Sequence, residues 1–178
     1  MNEPMKLIEG MKKLKVLEKH IDRNTERITQ YAAIPSNEKP TFGDDKEQRA
    51  QVKGLIQSNK DLVDEYLHLK QRVDMTNLVT TVTIGKRTFK LIDLLILRRG
   101  LAKRMEKTFH GLTTDVADRR IAGMSRNISL QPGEKAIHAV RFYDENEKFE
   151  GLQDWQGLQD EIEQRLEVIN ATTDLVTI

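Results

Sequence analysis

Histidines and cysteines are the residues that most often bind metals or carry nucleophilic chemistry in a sequence of this size. The four histidines, His20, His68, His110 and His138, lie in four different predicted elements and show no H-E-x-x-H or other paired spacing. The chain has no cysteine, which excludes disulfides, thiolate metal sites and cysteine nucleophiles. The sequence therefore gives no indication of a metal site.

A glycine–lysine pair in IGKRT, residues 84–88, resembles the end of a phosphate-binding loop. The motif G-x-x-x-x-G-K-[ST] needs an earlier glycine for its backbone cradle, and that glycine is absent here. Gly85 and Lys86 instead lie between two runs of β-branched residues, where a tight hairpin turn belongs. Because the sequence also lacks a G-x-S-x-G elbow and a Gly-rich dinucleotide turn, we expect neither a cofactor nor a catalytic residue.

Arg98 lies in the apolar stripe of a predicted helix. An unpaired buried guanidinium is very costly, so the side chain either extends along its stem to solvent or meets a carboxylate across a helix seam. We expect a structural ion pair. The competing hypothesis is a substrate-binding arginine, and a pocket lined by Arg98, Thr76 and Asn77 would favour it.

The charges are divided unevenly along the second half of the chain. Residues 86–126 contain 11 basic and four acidic residues, whereas residues 144–167 contain nine acidic and two basic residues. One interpretation is a basic face for nucleic acid, and the other is attraction between the two segments within a chain or between chains. We favour the second, because the basic stretch lacks aromatic residues for stacking on bases. The basic face consists of Arg99, Lys103, Arg104 and Lys107.

The elements that would position these residues belong to one predicted domain. The chain has 178 residues, 38% of them apolar, 32% charged and 5% aromatic, with a formal net charge of +1. This composition suits a single elongated helical domain with a moderate core. No run has the length of a membrane span and the N-terminus lacks an apolar signal region, so we expect a cytoplasmic protein or part of a particle assembled there, with no membrane partner.

Two long helices are predicted in the first half of the chain. Apolar residues recur at steps of three and four from Met5 to about Ala33, and again from the start of the second helix near Asp44 to about Asn77. The intervening residues 34–45 form a loop with two prolines, and Asp44 and Glu47 have the spacing of a capping box. A loop this short makes the helices antiparallel neighbours. The polar residues on or near their seam, which we expect to fix its register, are Asn24, Thr25 and Asn59.

The second half of the chain contains the remaining predicted elements. Alternating β-branched residues predict a β-hairpin arm over residues 78–90, and a third helix follows from about Leu91. Residues 111–131 have weak periodicity and receive no assignment. Alternation predicts a strand over residues 135–143, able to join the hairpin in a three-stranded sheet, and a C-terminal helix covers residues 152–170. The predicted fold class is mainly α: a long antiparallel helical hairpin, two further helices and a small antiparallel β-sheet.

Two segments of the chain resemble the septicolysin-like family of small bacterial proteins, whose members are mostly without a demonstrated activity. VDMTNLVTTVTIGKRTFKLIDLLILRRGL, residues 73–101, is similar to the family's I-x-x-T-N-x-x-T segment, glycine turn and T-L-T-D-A-L-A-x-R-D-x-L helix start. LQDWQGLQDEIEQRLEVINATTDL, residues 152–175, is similar to a family ending of the form L-D-x-x-I-Q-x-x-N-W-T-T-D-L. The matching positions are Thr76, Asn77, Thr80, Gly85, Asp93, Arg98, Leu101, Asn170, Thr173 and Asp174.

The match has three departures. Ile92, Arg99 and Ala171 stand where the family tends to have Thr, Asp and Trp. The chain is thus similar to a diverged member, for instance one carried by a bacteriophage. The family's name suggests a cytolysin, but the sequence lacks an amphipathic, aromatic-rich segment that would insert into a bilayer.

These observations favour a non-catalytic structural or interaction protein. We expect it to self-associate and to attach to other proteins within a larger assembly, with a phage virion as one setting. The alternative is a protein that binds nucleic acid or processes a small molecule through the basic segment 86–126. The residues expected to have structural or interaction roles are Thr76, Asn77, Gly85, Asp93, Arg98, Asn170 and Asp174.

Overall fold

The mainly helical fold class is confirmed by a computed structural model, which describes residues 4–125 and 137–177. Helices account for 73% of the described residues, and a two-stranded antiparallel sheet accompanies them. The described chain divides into two compact units. Residues 4–82, 90–92 and 166–177 belong to the first unit, and residues 83–89, 93–125 and 137–165 to the second.

The first unit is built on an antiparallel helical hairpin. Helix α1 spans Leu7–Tyr31 and helix α2 spans Asp45–Val79, close to the predicted bounds. The predicted capping box starts α2: the Asp44 carboxylate accepts from the Glu47 N–H at 2.8 Å, and the Asp44 N–H donates to the Glu47 carboxylate at 3.3 Å. The loop is therefore slightly earlier than predicted, at residues 32–44.

The polar residues predicted to fix the register of the hairpin do connect its two helices. The Asn24 amide donates to the Ser58 hydroxyl at 3.2 Å. The Asn59 amide donates to the Ile21 carbonyl at 3.3 Å and to the Thr25 hydroxyl at 3.2 Å. Because these bonds require particular residues to lie opposite each other, they oppose sliding of one helix along the other.

The C-terminal segment closes one end of the first unit. The Leu7 N–H donates to the Thr173 carbonyl and the Leu175 N–H donates to the Met5 carbonyl, both at 2.8 Å. A Cβ atom at Gly10 would lie 2.6 Å from Leu175, so the glycine allows this segment to approach α1 closely. The Lys6 ammonium and the Asp174 carboxylate lie 2.6 Å apart beside these bonds.

The predicted β-hairpin is present, with shorter strands than expected. Strand β1 is Thr81–Ile84 and strand β2 is Arg87–Lys90, whereas residues 78 and 79 still belong to α2. Val82 and Ile84 are buried, as the alternation predicted. Gly85 has φ 55° at the first turn position, where a type II′ turn requires the left-handed region that favours glycine.

The predicted third helix is interrupted. Helix α3 is Leu91–Ile96, a π-helical turn occupies Leu97–Leu101, and helix α4 is Ala102–His110. Gly100 lies in this turn with φ 133°, a conformation that residues with a Cβ atom rarely adopt. Helix α5, Asp115–Ser125, lies in the segment that received no assignment from the sequence.

The predicted strand over residues 135–143 is wrong where the structure describes it. Residues 137–143 form no strand, and residues 135 and 136 lie outside the described residues. Alternation alone supplies no partner for backbone hydrogen bonds, and Phe142 is 95% exposed. The next helix, α6, is Glu145–Thr172 and begins earlier than the predicted 152. Asp144 caps it, because its carboxylate accepts from the N–H groups of Asn146 at 2.6 Å and Glu147 at 3.1 Å.

Candidate interaction surfaces

The two halves of the α1–α2 hairpin differ in burial. The half near the C-terminal segment contains the buried apolar residues of both helices, Leu7, Leu14, Leu17, Leu69 and Val73. Between residues 18 and 68, all of which the structure describes, no apolar side chain is buried. We call residues 18–68 the distal half. Its apolar side chains face a single neighbouring helix and remain partly in water, so this half has a smaller core than its length would allow.

An apolar stripe runs along α2 in the distal half, beside the seam with α1. Its members are Ile56 and Val63, each 42% exposed, and Leu67, 53% exposed. Ile56 and Val63 also line a groove of about 430 Å³ that includes Ile21 and Ile28 of α1. A single exposed leucine is ordinary, but a contiguous apolar surface indicates an interaction site.

Thr76 fastens the C-terminal segment to α2. Its side chain is 1% exposed, and its hydroxyl donates to the Arg72 carbonyl at 2.7 Å and accepts from the Val176 N–H at 3.0 Å. The Arg72 guanidinium donates to the Val176 carbonyl at 2.9 Å. Asn77 is also buried, and Asn170 is half-buried in the last turn of α6. These predicted interaction residues therefore belong to the first unit, where Thr76 has a structural role.

Arg98 forms an ion pair in the second unit, as expected, but the pair is not buried. The Arg98 Nε atom lies 2.7 Å from the Glu163 Oε1 atom, with side-chain exposures of 48% and 58%. The pair therefore lies at the surface and not in a buried helix seam, and a kink at Gly100 interrupts the helix that was predicted to carry Arg98. Asp93 lies on the exposed side of α3.

The predicted basic face lies on the π-helical turn and α4. Arg99, Lys103, Arg104 and Lys107 are all exposed. None of the four forms an ion pair with a residue that the structure describes. Lys103 and Lys107 lie four residues apart within α4, which places them on one side of that helix.

A cleft of about 710 Å³ lies in the second unit between the β-hairpin turn and α6. Lys86 and Arg87 line the hairpin side, and Asp154, Trp155 and Glu161 line the helix side. Two contacts set the spacing of these walls. The Arg165 guanidinium donates to the Thr83 carbonyl at 2.9 Å, and a Cβ atom at Gly151 would lie 2.3 Å from the Phe109 ring.

A polar cluster around the Glu106 carboxylate, which we call the Glu106 cluster, connects α4 with α6. The side-chain amides of Gln156 and Gln159 donate to Glu106 at 3.1 and 3.3 Å. These bonds, that from Gln156 first, hold the pKa of Glu106 below its ordinary value, although partial desolvation opposes them. His110 lies 3.5 Å from the same carboxylate and contributes in the same direction.

Thr76 and Asn77 belong to the first unit, whereas Arg98 belongs to the second. None of these residues lines the cleft beside the β-hairpin turn, the groove beside the α1–α2 seam, or a third cleft that includes Tyr31 and Gln48. The described residues also contain no group of three or more histidine or acidic side chains placed to hold a metal ion. Within the same part of the chain, no helix combines the length and apolar character needed to cross a membrane.

Comparison of the chain with protein-family models, with curated proteins and with solved structures gave no match. Its candidate surfaces therefore rest on geometry. The cleft and the Glu106 cluster were not predictable from the sequence, because they depend on pairing of α6 with distant segments. The exposed stripe had a signal in the sequence: Ile56 and Val63 lie seven residues apart, beside the residues that face α1.

Proposed function

We propose that the protein is a non-catalytic structural protein that works by self-association and by attachment within a larger assembly. The observation that carries the proposal is the distal half of the α1–α2 hairpin, which has no buried apolar side chain among residues 18–68. Helices gain most of their stability in proteins from packing of an apolar face. A second copy that covers the stripe of Ile56, Val63 and Leu67 would supply that packing.

Light scattering at several protein concentrations and salt levels tests self-association. We expect a molecular mass above the 20.6 kDa of one chain, rising with concentration. Leu67→Gln should shift the equilibrium toward the monomer, because it removes apolar area from the contact. Val16→Gln is the matched control, since Val16 is 48% exposed on α1 and lies outside the stripe. A strict monomer under every condition would contradict the proposal.

Attachment to other proteins is supported by the short β-hairpin. Strand β2 is exposed along most of its length, and in the described part of the chain the sheet has two strands. Such an edge can accept a strand from another protein.

A phage virion is one setting for the proposed assembly, and the septicolysin-like resemblance stays a prediction. Mass spectrometry of purified phage particles tests this setting. We expect to find the chain in them, and its absence from the particles would contradict the virion setting.

Binding of nucleic acid is the second candidate function, favoured by the basic face. Lys103 and Lys107 lie on one side of α4, and these two residues and Arg99 are exposed and form no ion pair with a described residue. Phosphate contacts make affinity fall steeply with salt. A filter-binding titration at varied salt tests this function, with Lys103→Gln/Lys107→Gln expected to weaken binding and to reduce the salt dependence. Equal affinity of the wild type and the double variant for nucleic acid would exclude the basic face as the binding site.

A further inference from the structure

We infer that helix α2 pairs with α2 of a second copy in antiparallel orientation, about a twofold axis near residues 61 and 62. The inference rests on the proposed self-association and specifies its geometry. A twofold interface uses the same surface patch on both subunits, so this surface of α2 must be complementary to itself when reversed. The apolar stripe and the charged residues that flank it on α2 meet that requirement.

The surface has the spacing of a helix seam. Steps of four and three residues repeat along one side of α2 over 25 residue intervals, or about 37 Å at 1.5 Å per residue. This side lies next to, and is separate from, the side that faces α1, which includes the buried Leu69 and Val73. The members of the surface are Arg49, Lys53, Ile56, Lys60, Val63, Leu67, Lys70 and Asp74.

The apolar residues set the register of the pairing. When residue numbers on opposite helices sum to about 123, Ile56 of one copy lies opposite Leu67 of the other, and the reverse contact is made by symmetry. Lys60 then lies opposite Val63 beside the axis, where its aliphatic stem can cover the apolar side chain. Ile56, Val63 and Leu67 are the exposed apolar residues of this surface, so one register covers all of them.

The charges favour the antiparallel orientation over the parallel one. Arg49 and Lys53 give the N-terminal end of the surface two positive charges, and both side chains are exposed. Parallel helices would bring these residues against their own copies and Lys60 against Lys60, and like charges across an interface are unfavourable. Antiparallel helices separate the two basic ends.

The same register places opposite charges together. Arg49 lies opposite Asp74 of the second copy, and the Lys60 ammonium lies within reach of Asp64, one position beyond Val63. Twofold symmetry repeats each pair. Lys53 lies opposite Lys70, but Lys70 is already paired with Asp74 of its own chain, which reduces the repulsion. The pairing therefore has two kinds of favourable charge contact and one kind of unfavourable contact, each made twice.

Disulfide cross-linking tests the register, because the chain has no cysteine of its own. Ile56→Cys and Leu67→Cys are prepared as separate full-length variants, and circular dichroism confirms that each is folded. Each variant alone should stay monomeric on a denaturing gel after mild oxidation, because equivalent residues lie 11 positions, or about 16 Å, apart along the axis. A mixture of the two should give a cross-linked dimer.

Charge reversal gives a second, independent test. Arg49→Asp alone and Asp74→Arg alone each place like charges together twice, so each should raise the dissociation constant of the dimer about tenfold. The double variant Arg49→Asp/Asp74→Arg recreates the pair in reverse and should restore most of the affinity. Failure of the double variant to recover would overturn the register, as would a mixture of cysteine variants that does not cross-link.

The outcomes separate this inference from the proposed function. A dimer by light scattering in which Ile56→Cys cross-links with itself would show parallel pairing and would overturn the inference, while self-association would stand. A wild-type protein that is monomeric at all concentrations would overturn both. Cross-linking of the mixture alone, with recovery by the double charge reversal, supports the antiparallel pairing.

Discussion

At the scale of single residues, the buried Thr76 hydroxyl connects two segments of the first unit. It has both a carbonyl to donate to and an N–H to accept from. A buried polar group with both capacities satisfied avoids the cost of desolvation. The hydroxyl therefore joins the end of α2 to a segment that is 100 residues away in the sequence.

We expect Thr76→Val to lower the free energy of unfolding by about 1–3 kcal/mol, because it leaves the Val176 N–H without its acceptor while keeping the size of the side chain. Thr108→Val is the control. Its hydroxyl is exposed and donates only to the Arg104 carbonyl, at 3.0 Å, within the same helix. Urea unfolding of both variants measures the difference, and equal losses would show that the bond to Val176 contributes no stability.

Glu106 predicts a pH dependence whose sign follows from its lowered pKa. A carboxyl group whose pKa is lower in the folded state stabilises the fold above its unfolded pKa, near 4.3, and this stabilisation is lost as pH falls through the folded value. Glu106→Gln should therefore reduce stability at neutral pH, and its difference from the wild type should shrink in acid. The change at Gln156 and Gln159 is the loss of an ionised acceptor for their amides.

Unfolding followed between pH 3 and 7 measures this difference. Glu150→Gln is the control, because Glu150 is exposed on α6 and forms no ion pair with a described residue. A Glu106→Gln effect that does not vary with pH would contradict the assigned cause.

At the scale of elements, α6 organises the second unit through contacts with segments distant in sequence. The side-chain amides of Gln156 and Gln159 donate to Glu106 of α4. Glu163 pairs with Arg98, and the Arg165 guanidinium donates to a carbonyl of strand β1. The exposed Arg98–Glu163 pair stabilises little by itself, since surface ion pairs contribute about 0–1 kcal/mol. Close packing contributes more, as at Gly151, where α6 meets the Phe109 ring.

Two glycines of α6 give a matched comparison of this packing. Gly151→Ala would place a Cβ atom 2.3 Å from Phe109, whereas a Cβ atom at Gly157 meets nothing within 4 Å. Alanine is favoured over glycine in a helix by about 1 kcal/mol, so Gly157→Ala should stabilise the protein. Gly151→Ala should be about 1–3 kcal/mol less stable than Gly157→Ala, because the ring must move. Thermal unfolding compares the two, and equal stability would show that the contact is not tight.

At the scale of the whole molecule, stability is expected to vary along the helical hairpin. Residues 18–68 contain no buried apolar side chain, whereas the other half of the hairpin packs on the C-terminal segment. Local opening is easiest where few apolar contacts hold the backbone. Association would therefore slow amide hydrogen exchange in the distal half much more than in the other half of the hairpin.

Hydrogen exchange at increasing protein concentration tests this expectation. At low concentration, amides of the distal half should exchange faster than those between residues 69 and 79. Raising the concentration should slow exchange between residues 49 and 68, because association and stability are linked, and should leave the amides of Leu7–Leu17 unchanged. Exchange that is independent of concentration throughout the chain would contradict association through the distal half.

The sequence by itself determined features that depend on a few neighbouring residues. Asp44 and Glu47 fix the start of α2, Gly85 fixes the β-turn, and the periodicity of apolar residues fixes two long helices. Asn59 could be placed in the seam because helical periodicity assigns each residue to a side of its helix. Short-range sterics and hydrogen bonding act in the same way in any surroundings, which is why these predictions are confirmed.

Only the tertiary structure decided which surfaces stay in water. Arg98 was expected to meet a carboxylate across a helix seam, but its pair with Glu163 lies half exposed at the surface, close to the kink at Gly100. Residues 137–143 alternate like a strand, but no second strand lies beside the described part to accept their hydrogen bonds. The apolar stripe of α2 remains exposed because the C-terminal segment reaches only one end of the hairpin. Burial depends on segments far apart in the chain, and a local pattern carries no information on where they meet.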